Sequence, residues 1–70
     1  MRKKLKYLRV VEYNLTQSEM AAKIGVSRSI YSQVENGTLG ISPRFLTKLQ
    51  TAFSIPDSEV WSYTKNETEV

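Results

Sequence analysis

The stretch LTQSEMAAKIGVSRSIYSQVENG, Leu15 to Gly37, decides the fold. Its opening, Thr16-Gln17-Ser18-Glu19, has the form of a capping box: the Thr16 hydroxyl can accept from the Glu19 backbone N–H while the Glu19 carboxylate reaches back. A helix starts there with Met20, Ala21 and Ile24 facing inward. Gly25 ends it, because glycine enters the left-handed conformation without a Cβ penalty. Val26 alone links it to Ser27, a second N-cap, and is placed to staple onto Tyr31 one turn inside the next helix. That helix runs to Asn36 and stops at Gly37. Two capped helices joined by so short a turn must cross at a steep angle.

The flanks extend the same pattern. Upstream, a helix is expected from about Lys3 to Tyr13, with Tyr7, Leu8 and Val11 on one stripe, Leu5 at its edge, and Arg2, Lys6 and Arg9 pointing away. Downstream, Ser42-Pro43 is an N-cap followed by proline at the first helical position, and Phe45, Leu46, Leu49 and Phe53 recur at helical spacing. Pro56-Asp57 opens a last short helix carrying Val60 and Trp61. No run alternates apolar and polar residues over a strand's length, and Asn36-Gly37 follows a helical pattern, so it is a helix end rather than a hairpin turn. The expectation is an all-α, compact bundle of about five short helices. Residues 1–63 form the domain, and 64–70 form an acidic tail with too few apolar residues to stay ordered.

Seventy residues make one small core, so stability must come from packing and caps. With no Cys and no His, the chain has neither a disulfide nor the usual transition-metal ligands, and no cofactor is expected. No segment reaches the length of a membrane span, and Met1-Arg2-Lys3-Lys4 leads into Leu5-Lys6-Tyr7 rather than an apolar signal core. A soluble, unprocessed cytoplasmic protein is expected, and the three Asn-x-Thr sequons at Asn14, Asn36 and Asn66 are read as chance. An enzyme is not: histidine and cysteine are missing as base or nucleophile, and Ser62-Tyr63-Thr64-Lys65 matches Ser-x-x-Lys by coincidence on a chain too short for that fold. Up to Ile55, nine Lys/Arg stand against three Glu, a net +6, whereas Pro56 onward carries −3. A basic body suits a polyanionic partner.

On the helix that follows Ser27, with Arg28 at 0°, Ser32, Asn36, Ser29 and Gln33 fall between about 40° and 140°, opposite Ile30, Tyr31 and Val34. The outer face is thus made of side chains suited to base edges and phosphates. Arg can bond guanine O6 and N7, Gln can bond adenine N6 and N7, and Ser reaches either bases or phosphates.

These residues together resemble the Cro and phage-repressor (XRE-type) helix-turn-helix family. The likeness is carried by Thr16-Gln17, Ala21, Gly25-Val26-Ser27, Tyr31-Ser32, Val34-Glu35-Asn36-Gly37 and Pro43-Arg44-Phe45-Leu46. The resemblance implies a lambda-repressor-like fold and sequence-specific binding of double-stranded DNA as a transcriptional regulator, a repressor or Cro-like switch protein. It places Arg28, Ser29 and Gln33 at the bases, and Gln17, Ser32, Asn36 and Arg44 on phosphates, with Ile30 at the edge as core packing or a thymine-methyl contact. The family's arginine partner for the Glu35 position would fall at Val10, whereas this chain has Arg9 one place earlier. The loop Thr38–Ile41 is longer by about a residue. The same fold also serves as an antitoxin or a protein-binding adaptor, whose reader face would be more apolar. A homodimer on a near-palindromic operator is expected, with Val60, Trp61 and Tyr63 as interface candidates and no small-molecule ligand or membrane partner.

Overall fold

The computed structural model describes residues 1–67 and contains only helices and their connections among them. In chain order these are α1 (Lys3–Tyr7), a π-helical stretch (Leu8–Glu12), α2 (Gln17–Ile24), α3 (Arg28–Asn36), α4 (Pro43–Phe53), α5 (Asp57–Val60) and a closing 3₁₀ turn (Trp61–Thr64). The all-α bundle of short helices expected from the sequence is what forms. No helix among the described residues is long and apolar enough to cross a membrane.

The caps act where their residue types require. Thr16 Oγ1 accepts from the Glu19 N–H at 3.1 Å and Glu19 Oε1 accepts from the Thr16 N–H at 2.9 Å, closing the capping box that starts α2. Ser27 Oγ accepts from the Ile30 N–H at 3.1 Å, and Ser42 Oγ from the Phe45 N–H at 3.1 Å with Pro43 opening α4. Gly25 and Gly37 both sit at φ 89°, so the left-handed ends of α2 and α3 are glycine positions for conformational reasons.

The core gathers Met20, Ala21 and Ile24 of α2, Tyr31 and Val34 of α3, and Phe45 and Leu49 of α4 around Leu5 and Leu8, with Tyr63 closing the far side. The Tyr31 and Phe45 rings lie 6.3 Å apart, and Val26 packs against the same cluster.

The first helix departs from expectation. Leu5 and Leu8 are buried, but Tyr7 and Val11 are more than half exposed, while Arg2 is buried and Arg9 faces the interior. The inward row is therefore Arg2, Leu5 and Leu8, three residues apart, flanked by Arg9. Beyond Tyr7 the helix widens: the Tyr13 N–H bonds Leu8 O at 3.2 Å, an i→i+5 closure that absorbs one residue more than an α-turn. Tyr13 then meets the Phe53 ring at 4.6 Å.

Arg2 explains its own burial. Its Nη1 donates to Val34 O at 2.6 Å and Leu39 O at 2.9 Å, and its Nε to Thr64 O at 3.3 Å. The guanidinium caps carbonyls at the C-terminal end of α3, where the helix dipole favours a cation. Burial lowers its pKa from the ordinary arginine value, and among the described residues no carboxylate is bonded to it.

The division expected at residue 63 is not a break in the backbone, because the closing 3₁₀ turn runs through Thr64. Asn66 Nδ2 donates to Gly37 O at 3.2 Å and occupies the space a Cβ at Gly37 would need, and the Glu67 N–H bonds Met1 O at 2.8 Å. The remainder of the expected tail, residues 68–70, lies outside the described residues.

Candidate nucleic-acid interface

α3 is held from behind and open in front. Tyr31, Val34 and Glu35 are buried, whereas Arg28 and Ser29 are exposed, Ser32 and Gln33 are half-buried, and these four line one shallow concavity. Within it, Gln33 Nε2 donates to Ser29 Oγ at 3.2 Å. Ile30 is 40% exposed, so it belongs to the outer surface rather than the core.

Behind the concavity lies a polar network. Arg9 grips Glu35 with two bonds, Nε to Oε2 at 2.8 Å and Nη2 to Oε1 at 2.9 Å, and its Nη1 donates to Leu15 O. Tyr31 Oη donates to Glu35 Oε2 at 2.5 Å, and Gln17 Nε2 reaches Glu35 Oε1 at 3.4 Å. Burial works against the Glu35 carboxylate, yet the hydrogen bonds from Arg9 and Tyr31 hold its pKa below the ordinary carboxylate value. Burial, and then the bond to Glu35, push the Tyr31 hydroxyl well above its usual range. The hydrogen bond to Glu35 raises Arg9 in turn. Glu35 is therefore an anion satisfied from three sides, and it joins the first helix, the start of α2 and the end of α3.

The extra residue of the π-helical stretch accounts for Arg9. A one-residue widening between Arg9 and Gln17 brings the arginine to Glu35 from one position earlier than the resemblance implies, and turns Val10 outward.

The other expected site residues are dispersed. Gln17 opens α2 and is half-buried against Glu35; Asn36 is exposed at the end of α3, its Oδ1 accepting from the Thr38 N–H at 2.9 Å; Arg44 is exposed in the first turn of α4. Among the interface candidates only Trp61 reaches the surface, at 65% exposure, while Val60 and Tyr63 are buried. Val60, the last residue of α5, and Tyr63, three positions on in the closing 3₁₀ turn, fall on the inward side, and Trp61 is left outside.

Sequence reading missed Lys48 and the Tyr31 hydroxyl. Lys48 Nζ donates to Gly25 O at 2.9 Å, fixing the turn between α2 and α3 from α4. Lys48 lies midway along α4, 23 residues from Gly25, so no local spacing in the sequence points to the contact.

A family model described as helix-turn-helix matches residues 5–60. Among curated proteins, an uncharacterized HTH-type transcriptional regulator of Methanocaldococcus jannaschii is 34% identical over 67 residues, covering 96% of this chain and all of that protein. The control protein C.MunI of Mycoplasma sp is 38% identical over 64 residues, covering 91% of this chain and 86% of that one. No solved structure matches.

Proposed function

We propose, from the premise that this chain belongs to the helix-turn-helix family, that it is a cytoplasmic, sequence-specific DNA-binding transcriptional regulator of repressor or Cro-like type, with α3 seated in the major groove. The observation that carries this reading is the contiguous outer surface of Arg28, Ser29, Ser32 and Gln33 on a helix whose opposite face is locked into the core.

On this reading Arg28 bonds guanine O6 and N7, Ser29 and Gln33 face base edges beside it, and Ile30 offers apolar surface to a thymine methyl. Gln17, Ser32, Asn36 and Arg44 hold phosphates and set the register. The two helix starts assist them: backbone N–H groups of α2 and α4 point outward with the positive end of the helix dipole. The net +6 of the body supplies sequence-independent attraction through release of counterions. An antitoxin or adaptor docking through this face would need apolar anchors there, and Ile30 is the one such side chain among the described residues of that face.

Selection from random duplexes tests the reading. Enriched sites should share a short motif, repeated with approximate two-fold symmetry, and Arg28→Ala and Gln33→Ala should each erase preference at separate positions. Absence of enrichment, or unchanged preferences in both variants, overturns it.

A further inference from the structure

Ser29 and Gln33 stand one turn apart on α3, and their side chains already touch. Gln33 Nε2 donates to Ser29 Oγ at 3.2 Å, both within the concavity they share with Arg28 and Ser32. An amide nitrogen carries two hydrogens and its oxygen carries none. Donation to Ser29 uses one hydrogen and leaves Oε1 and the second hydrogen for an incoming group. A free acceptor beside a free donor matches the adenine edge, where N6–H donates and N7 accepts. Had Ser29 instead donated to the glutamine oxygen, the amide would turn its nitrogen outward and present donors, the pattern that guanine O6 and N7 accept.

We infer that Ser29 is a specificity-determining positioning residue that fixes the Gln33 amide, so that the two side chains read the adenine of one A·T pair as a unit. The inference rests on α3 being the DNA-reading helix. Ile30 lies three positions before Gln33 and is exposed beside it, giving a thymine methyl an apolar surface on the same side. Holding the amide in place before binding removes part of the entropy cost that a free glutamine would meet on ordering.

The test uses the full chain and duplexes derived from the wild-type selection. At the operator position whose preference vanishes in Gln33→Ala, dissociation constants are measured for all four base pairs with wild type, Ser29→Ala, Ser29→Thr, Gln33→Ala, Gln33→Glu and Ser29→Ala/Gln33→Ala. Wild type should favour adenine by roughly tenfold or more. Ser29→Ala should lose most of that preference while other positions and non-specific affinity stay unchanged, and Ser29→Thr, which keeps the hydroxyl, should retain it. The double variant should lose no more than Gln33→Ala alone, the non-additivity of two groups acting as one. Gln33→Glu, an acceptor only, should move the preference toward cytosine N4–H. Additive losses, an intact adenine preference in Ser29→Ala, or a wild-type preference for guanine overturns the pairing while leaving α3 as the reader. If Gln33→Ala shifts no position while Arg28→Ala does, the pairing falls and α3 stands as the reader; if neither variant shifts a position, the reader assignment falls and the pairing with it.

Discussion

Arg9 and Glu35 meet as a bidentate pair at 2.8 and 2.9 Å, with 11% and 4% of their side chains exposed, where the first helix crosses the start of α2 and the end of α3. A buried pair of this kind adds little over apolar packing, but its rupture leaves a charge without a partner. Arg9→Ala should therefore destabilise the domain by about 3–5 kcal/mol, a large part of what so small a domain possesses. Moving the arginine to the family register, Arg9→Ala with Val10→Arg, should not rescue it, because Val10 is exposed on the outer side of the π-helical stretch. Urea unfolding of the three proteins checks this, and rescue by the double variant would show that the widened turn is not fixed.

Tyr31 supplies the next step of the same network. Its hydroxyl stabilises the Glu35 anion, so Tyr31→Phe should cost about 1.5–3 kcal/mol, the range for a hydrogen bond to a charged group. The pH dependence has a definite sign. Glu35 is held below its unfolded pKa, so its contribution is present above the unfolded value and disappears as pH falls through the folded one. Wild type should lose stability on acidification, and Tyr31→Phe should lose less and finish losing it at higher pH, because the folded pKa of Glu35 moves up toward the unfolded one. Denaturation midpoints followed from neutral to acidic pH report both, and superimposable acid limbs would remove Tyr31 from the network.

How far the sequence could be read follows from where each interaction is closed. Thr16, Ser27 and Ser42 bond within three residues of themselves, and Gly25 and Gly37 respond to their own backbone angles, so the caps and with them α2, α3 and α4 are legible in local sequence. Arg2 and Arg9 are not. Hydrophobic periodicity counts apolar residues, and here two arginines occupy the inward row because carbonyls and a carboxylate 26 or more residues away receive them. Apolar spacing therefore points to Tyr7 and Val11 as the core stripe, and the structure leaves both exposed. The i→i+5 closure at Leu8 has no compositional signature, and neither has the change from α to 3₁₀ pitch at Trp61. On the candidate interface, the grouping of Arg28, Ser29, Ser32 and Gln33 was legible from 100° periodicity. The contact between Ser29 and Gln33 was not, since periodicity gives neighbours and no bond.

Arg2 offers a separate test of the buried cations. Its guanidinium reaches the carbonyls of Val34 and Leu39 from Nη1 and that of Thr64 from Nε, a spread over two nitrogens that the single ammonium nitrogen of lysine cannot reproduce. Arg2→Ala should cost about 2–3 kcal/mol through the lost caps at the end of α3, and Arg2→Lys should restore less than half of it. Thermal unfolding with amide exchange at Leu39 and Gly37 would localise the loss. Full recovery with lysine would mean that charge alone matters there.

Arg44 separates register from sequence reading. Exposed at the start of α4 and proposed as a phosphate contact, it should on replacement by alanine weaken binding to matched and scrambled duplexes by the same factor, with the salt slope falling by about one. Arg28→Ala should instead lose about 1–3 kcal/mol of discrimination on the matched duplex. Titrations over a series of salt concentrations distinguish them, and a base-dependent loss for Arg44→Ala would move it to the reader set.

Trp61 bears on assembly. A single reader helix spans only a few base pairs, too few to select a site in a genome, and two-fold symmetry is the economical remedy. Trp61 is the largest apolar side chain left outside, and it borders a groove with Pro43, Thr47 and Gln50, next to the α4 start that carries Arg44. A contact there would join the two copies beside their phosphate clamps, with half-site centres about 34–36 Å apart, one turn of B-DNA. An exposed side chain can be removed with a stability change within about 0.5 kcal/mol, whereas a tryptophan at the centre of an interface is worth about 2 kcal/mol or more. Trp61→Ala should therefore keep its helicity and its affinity for an isolated half-site, yet lose cooperative binding to the full site by a factor of roughly 30. Sedimentation of protein on duplexes bearing one or two half-sites measures each term. Unchanged cooperativity in Trp61→Ala would place the dimer contact elsewhere, and one chain per full duplex at wild-type affinity would exclude the dimer itself.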